Sequence, residues 1–280
     1  SCSSSEWWGS TLAESTRRSS DGPSTWSKAS LRVMAVDAEY GQRYRKLHEV
    51  HWWWRAREQI VLGLVRDLAP PGGYGHILDI GCGDGLLFDR LASHGLVEGV
   101  EPDRRLVLQP EHTSGLIHLR PFDPTFDSGK RYGLVLMLDV LEHMDEPVAA
   151  VRNVARIMAP GGIFLVTVPA FLGLWTSHDV LNEHRTRYTR RRLESVLEAP
   201  GLQIQFSRYM FRWLTLAKLA VRAKEALFGG EPKTPVIPPE PVNRALLTLT
   251  NLEERMLGRL PLGFGSSILA VARRRPDPTV

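Results

Sequence analysis

The sequence predicts an α/β chain built on a doubly wound sheet of seven strands. From residue 76 onward, short apolar runs alternate with helical stretches. The runs are continuously apolar, as in parallel strands covered on both faces. A turn with glycines at 81, 83 and 85 directly follows the first run, and right-handed crossovers then make a doubly wound topology the leading one. With 280 residues, 43% hydrophobic and 24% charged, the chain can bury a sizeable core. Disordered, collagen-like and coiled-coil classes are excluded.

Residues 1–33 are rich in serine without an apolar period. They are expected to be a disordered, non-functional leader ahead of a start at Met34. Residues 34–72 read as a helical N-terminal cap running through Tyr44, Leu47, Trp52, Trp53, Trp54, Ile60 and Val65, and stopped by Pro70-Pro71-Gly72-Gly73. The core, 73–210, is expected to hold strands at Ile77–Ile80, Val97–Val100, Leu116–Leu119, Leu134–Leu138, Ile163–Val168 and Leu202–Tyr209. Helices are expected at Leu86–His94, Val148–Met158 and Arg187–Leu197. An insertion, 211–263, carries helices Phe211–Phe228 and Pro241–Arg259 around a proline-rich linker. Residues 264–280 supply the last strand, Ser266–Arg273, and a tail.

Thirty-five basic against 31 acidic residues, without a run of like charge, favour no particular partner, and nucleic acid is not expected. Two cysteines make no disulfide framework, so a reducing, cytoplasmic setting is the default. No transmembrane helix is expected, because the one uncharged stretch of spanning length, Ile157 to Ser177, is broken by Pro160, Gly161, Gly162 and Pro169.

The strongest local signal is Asp79-Ile80-Gly81-Cys82-Gly83-Asp84-Gly85. A buried strand enters a turn whose glycines permit unusual dihedrals and close backbone approach, which suits a cofactor. Leu86 stands where a dinucleotide fingerprint would place its third glycine. At the end of the second strand, Glu101 precedes Pro102 and can accept hydrogen bonds from ribose hydroxyls.

These residues, together with Leu138-Asp139-Val140-Leu141-Glu142-His143, resemble the motifs of class I S-adenosylmethionine-dependent methyltransferases. The D-V-L-E-H form is similar to ubiquinone-pathway O-methyltransferases and to small-molecule and glycan methyltransferases. The resemblance spans about residues 40–275. It implies a Rossmann-like sheet whose last strand is antiparallel. It also implies an S-adenosylmethionine site formed by Asp79, Gly81, Cys82, Gly83, Glu101, Pro102, Leu138 and Asp139, with Asp123 at the adenine amino group beside Phe122. Transfer to oxygen of a small molecule, a quinone-like phenol or a sugar is the implied reaction.

Methyl transfer requires an aligned, desolvated and deprotonated nucleophile. Candidates therefore lie beyond the fourth and fifth strands: His143, His178 and Asp179 as catalytic groups, and Trp175, His184, Arg187 and Tyr188 as a substrate wall. The same histidines and acids could equally orient loops. No metal is expected: His178, Asp179 and His184 are of ligand type, yet no tight pair such as HExxH occurs. Trp53 and Arg55 are expected either as a lid over the cofactor or as simple packing. Arg208, Arg212, Lys218 and Arg222 share a roughly 120° arc, which suggests a basic amphipathic helix and peripheral membrane contact through 211–228. The alternatives are a nicotinamide-dependent oxidoreductase, which Leu86 disfavours, and a non-catalytic cofactor-binding protein.

Overall fold

The computed structural model describes residues 41–108, 115–198, 201–228, 235–258 and 260–275. The expected leader 1–33, its boundary at Met34, the start of the linker and the last tail residues lie outside them. All described residues belong to one unit that begins at Ala38.

Helix α1 covers residues 41–50, and α2 (Trp52–Leu68) follows a break at His51. The His51 side chain caps α2 by accepting from the Trp53 N–H at 3.1 Å. Then come β1 (His76–Ile80), α3 (Phe88–Leu91), β2 (Leu96–Val100), β3 (Ile117–His118), β4 (Tyr132–Leu138), α4 (Pro147–Ile157), β5 (Met158–Pro169), α5 (Ser177–Leu181), α6 (Arg190–Leu197), β6 (Leu202–Met210), α7 (Arg212–Phe228), α8 (Glu240–Leu257) and β7 (Ser267–Arg274).

The seven strands lie in the order β3-β2-β1-β4-β5-β7-β6. Pairings among β1 to β5 are parallel, and β7 runs antiparallel to both β5 and β6. Strand order reverses between β1 and β4, and such a switch opens a crevice at the carboxyl ends of the strands. Successive strand residues face opposite sides. Leu78, Ile80, Val135, Met137 and Phe164 join a core under α4 and α6. Ile77, Leu134, Leu136, Ile163 and Leu165 join another under α2. That division explains why strands with two buried faces read as unbroken apolar runs.

The structure corrects several expectations. The helix expected at Leu86–His94 is only Phe88–Leu91, because Gly85, at φ 70°, and the turns around it delay its start. The third strand shrinks to two residues at the parallel edge. The helix expected from Arg187 begins at Arg190, where the Thr189 hydroxyl accepts from the Arg192 N–H at 3.3 Å. Arg187 and Tyr188 are extended instead, with Tyr188 bridging to Ala170. Helix α2 belongs to the core, with Ala56, Val61 and Val65 essentially inaccessible.

Helix α7 lies the other way round from the sequence expectation. Three cations of the expected basic arc meet protein groups: Arg208 pairs with Glu254 at 2.9 Å, Arg212 faces Glu253 at 3.9 Å, and Arg222, itself exposed, donates to the Trp175 carbonyl at 2.7 Å. Leu216, Leu219, Val221, Leu227 and Phe228 face outward. The basic outer face from which membrane contact was expected is therefore absent. No helix among the described residues is long and apolar enough to cross a membrane.

Glu253 of α8 caps α7 from outside, accepting from the Arg212 and Trp213 N–H groups at 2.8 Å each while lying next to buried Arg212. Glu253→Ala is expected to cost about 1–3 kcal/mol, read as a lower denaturant midpoint at unchanged slope. Glu254→Ala, which removes a more exposed partner, should cost less.

Candidate functional site

The crevice at the β1–β4 switch is floored by the glycine turn. Gly81, Gly83 and Gly85 have φ of 74°, 55° and 70°, a left-handed region costly for other residues. A Cβ on Gly81 would come within 2.3 Å of Val140, so the turn also needs its bare backbone to pass the end of β4. The Gly81 N–H bonds the Val100 carbonyl at 2.8 Å, tying the turn to β2.

Glu101, 4% exposed, ends this strand. One carboxylate oxygen accepts from the Gly83 N–H at 2.9 Å and the other from the Asp103 N–H at 2.8 Å. Burial is the leading influence on its pKa, which is raised despite these bonds. Asp79 is buried beneath the turn, and desolvation lifts its pKa to about 7, with Arg57 opposing and Glu101 adding to the rise. Cys82 is buried and unbridged, and its thiol is pushed up by burial and then by Asp79 and Glu101. It is accordingly unreactive.

Asp139 leaves β4 with φ 55° and pairs with Arg57 of α2. Arg57 also lies 5.0 Å from the centre of the Trp53 ring. The cation expected at Arg55 is thus supplied by Arg57, since Arg55 points outward. The tryptophans pack: Trp52 lies 5.2 Å from Trp213, Trp53 lies 5.9 Å from Phe211, and Trp54 meets His51 edge-on at 4.9 Å. The element over the glycine turn is α1, whose Tyr44 and His48, with Arg57, Asp79, Gly81, Cys82, Gly83 and Leu138, enclose a cavity of about 30 Å³. Sequence reasoning missed Tyr44, His48 and Arg57 as site residues. Arg57 alone left a signal, as a cation four residues after Trp53 on the buried stripe of α2.

Asp123 is placed differently from its expected adenine role. Its carboxylate accepts from the Thr125 N–H at 2.8 Å and from Arg120 at 3.3 Å. Phe122 is packed 5.4 Å from Phe126 in the core. Neither lines the cavity. Pro102 follows Glu101 at the surface.

The expected catalytic and substrate residues divide in two. Asp179 and Arg187 are buried and paired, with Arg187 Nε and Nη2 on the two carboxylate oxygens at 2.7 and 2.9 Å and Nη1 on the Ala170 carbonyl at 2.9 Å. Asp179 also accepts from the Thr176 N–H at 2.9 Å and from His184 Nδ1 at 2.8 Å, and these partners hold its pKa far below the usual carboxylate range despite burial. Asp179 therefore braces the loop after β5. Tyr188 is buried too, donating to the Leu141 carbonyl at 3.3 Å. His178, on α5, meets Asn182 at 2.9 Å rather than Asp179, and burial lowers its pKa to about 4. Trp175 is half-buried, with its carbonyl taken by Arg222.

His143 and His184 do come together, with ring centres 4.9 Å apart beside Glu142. The His143 pKa is lowered, by desolvation first and by His184 second. Lys218 of α7 lies toward this mouth, its pKa lowered to about 8 by burial and by Arg187, against Asp179 and Asp139.

Residues 53–205 match a family described as a methyltransferase domain. The chain is 29% identical over 101 residues to the ubiquinone biosynthesis O-methyltransferase of Coxiella burnetii, covering 33% of this chain and 43% of that protein. It thus spans under half the length of that relative. Over 191 residues it is 26% identical to a probable S-adenosylmethionine-dependent methyltransferase of Mycolicibacterium smegmatis, covering 63% of this chain and 69% of the relative. Among solved structures, the cyclase SpnF is similar with a TM-score of 0.50 at 18% identity, over 86% of this chain and 97% of that one. At that identity the likeness is one of fold.

Asp79 yields a pH signature. A carboxyl whose folded pKa is raised from 3.8 to about 7 stabilises the fold below pH 3.8, and that contribution is lost as pH rises through 7. Asp79→Asn should therefore remove a downward slope of stability between pH 4 and 7 and leave the protein more stable than wild type at pH 8. Chemical denaturation across that range measures it.

Proposed function

The chain belongs to the methyltransferase-domain family as a class I enzyme, and from that premise we propose that it carries the methyl group of S-adenosylmethionine to oxygen of a small molecule, a quinone-like phenol or sugar hydroxyl. The observation that carries the cofactor reading is Glu101, a buried carboxylate aligned by the Gly83 and Asp103 N–H groups at the sheet's switch point. Each of its oxygens keeps a lone pair for a ribose hydroxyl. S-adenosylmethionine supplies an electrophilic methyl on a positively charged sulfur.

The chain's own residues do the rest. Gly81 and Gly83 leave room for a ligand to approach the backbone. The Arg57–Asp139 pair and Asp79 set the charge around the amino-acid end, and Leu138 and Cys82 keep the floor apolar. A cavity of about 30 Å³ holds about one water, whereas ligand sites run to roughly 300 Å³ or more. Next to it, also under α1, a cavity of about 320 Å³ is lined by Arg45, His48, Asp84 and Gly85. Asn243 clamps the break between α1 and α2, accepting from the Trp52 N–H at 2.9 Å and donating to the Val50 carbonyl at 2.6 Å.

The acceptor's proton is drawn toward the Glu142, His143 and His184 cluster just beyond β4. The oxygen preference is supported by this cluster and by the named activity of the Coxiella relative.

Calorimetry with S-adenosylhomocysteine should show saturable one-to-one binding to the full chain, weakened at least tenfold by Glu101→Ala. Incubation with the cofactor and a panel of catechols, phenols and sugars should give a product heavier by one methylene. A folded protein that takes up no S-adenosylhomocysteine sinks the cofactor reading, and turnover confined to amine acceptors sinks the oxygen one.

A further inference from the structure

Glu142 is the anomaly of the site. It is fully buried, and neither carboxylate oxygen meets a hydrogen-bond donor at bonding distance. A buried carboxyl left in that state is costly unless it is protonated or a cation completes it, and burial raises the Glu142 pKa well above the usual carboxylate range. What faces Glu142 is His184 Nε2, 3.9 Å from Oε1. The other nitrogen of His184, Nδ1, bonds Asp179 at 2.8 Å. That bond orients the imidazole and turns its Nε2 edge toward the buried Glu142 carboxyl. A cation held between them would satisfy both groups.

His143 completes the set. Its neighbour Glu183 is held at φ 55°, a conformation that non-glycine residues rarely adopt. Among the described residues, ligand atoms of Glu142, His143 and His184 all lie within 4.8 Å of one another. The two segments that supply them are sewn together: the Arg185 N–H donates to the Glu142 carbonyl at 2.9 Å and Arg185 Nε to the His143 carbonyl at 2.8 Å. Ligands from distant segments, with the His184 imidazole oriented by the Asp179 carboxylate behind it, are the arrangement that metal sites use.

We propose that Glu142, His143 and His184 bind one divalent first-row transition cation at the acceptor side of the crevice. Two imidazoles and one carboxylate suit Zn²⁺, Mn²⁺, Fe²⁺ or Co²⁺ better than Mg²⁺ or Ca²⁺, which prefer all-oxygen shells. Bonds of about 2.0–2.2 Å put ligand atoms roughly 3.0–3.6 Å apart, so small side-chain rotations close the set. Three protein ligands leave a position open toward solvent, since His143 and His184 are partly exposed. Binding of the ion rests on this geometry alone. Its use rests on the oxygen-acceptor reading: a hydroxyl entering the open position loses its proton to water more readily and presents an oxygen nucleophile.

Full-length protein freed of metal by chelation and dialysis is titrated with Co²⁺ and with Mn²⁺, without cofactor or acceptor. One equivalent should bind, with visible Co²⁺ absorption bands and a raised melting temperature. Glu142→Gln is close in shape and removes an unpartnered carboxylate, so without metal it should melt no lower than wild type, while its cation affinity falls at least tenfold. His184→Gln should lose affinity likewise, and His178→Ala, away from the set, should keep it. Wild type that binds neither ion saturably at millimolar concentration, or a folded Glu142→Gln that binds as tightly as wild type, overturns the proposal. Because no methyl donor is present, neither result bears on cofactor uptake, which the S-adenosylhomocysteine titration tests separately.

Discussion

Carboxylates buried at the carboxyl ends of parallel strands have to be compensated, and the ways this chain does so set the position of much else around the crevice. Asp79, Glu101 and Asp139 approach one another where β1, β2 and β4 end. Each receives a different partner: the backbone N–H groups of Gly83 and Asp103 for Glu101, the α2 guanidinium of Arg57 for Asp139, and partial neutralisation for Asp79, whose pKa reaches about 7. Arg57 can reach Asp139 only because α2 packs flat on the sheet through Ala56, Ile60 and Val61. The helix that looks like a separate cap is therefore part of the site's charge balance.

A second buried charge organises the acceptor side. Asp179 receives a bidentate guanidinium from Arg187, a backbone N–H from Thr176 and an imidazole from His184. That set fixes the stretch from the end of β5 to the start of α6, including the extended pairing of Tyr188 with Ala170. It also orients His184. An acid that could act as a base if it were free instead holds another group in place, because a carboxylate with every lone pair engaged and its pKa depressed has no affinity left for a substrate proton.

The insertion between β6 and β7 follows the same logic in reverse. Cations along α7 and just before it are drawn inward by Glu253 and Glu254 of α8 and by a carbonyl of the β5–α5 loop. Satisfying them leaves several leucines, Val221 and Phe228 on the outside. Periodicity finds the stripe of like residues on such a helix, yet both stripes are continuous, and which one faces the protein depends on charges more than forty residues away.

Legibility differed from element to element for physical reasons. The glycine turn, the strand-end Glu101 and the order of the apolar runs were readable because they depend on local dihedrals and on burial of both sheet faces, which neighbouring residues dictate. The short α3, the late start of α6 and the placement of Asp123 in a turn with Thr125 were not, since capping and turn bonds there outweigh helix or strand preference by small margins. Sequence by itself determined a doubly wound sheet with a cofactor turn at its switch. Only the tertiary structure decided which side chains meet there, namely Arg57 rather than Arg55 beside Asp139, and Glu142 with His143 and a histidine some forty residues on. Electrostatic pairing acts through space between groups remote in the chain, and no periodicity records it.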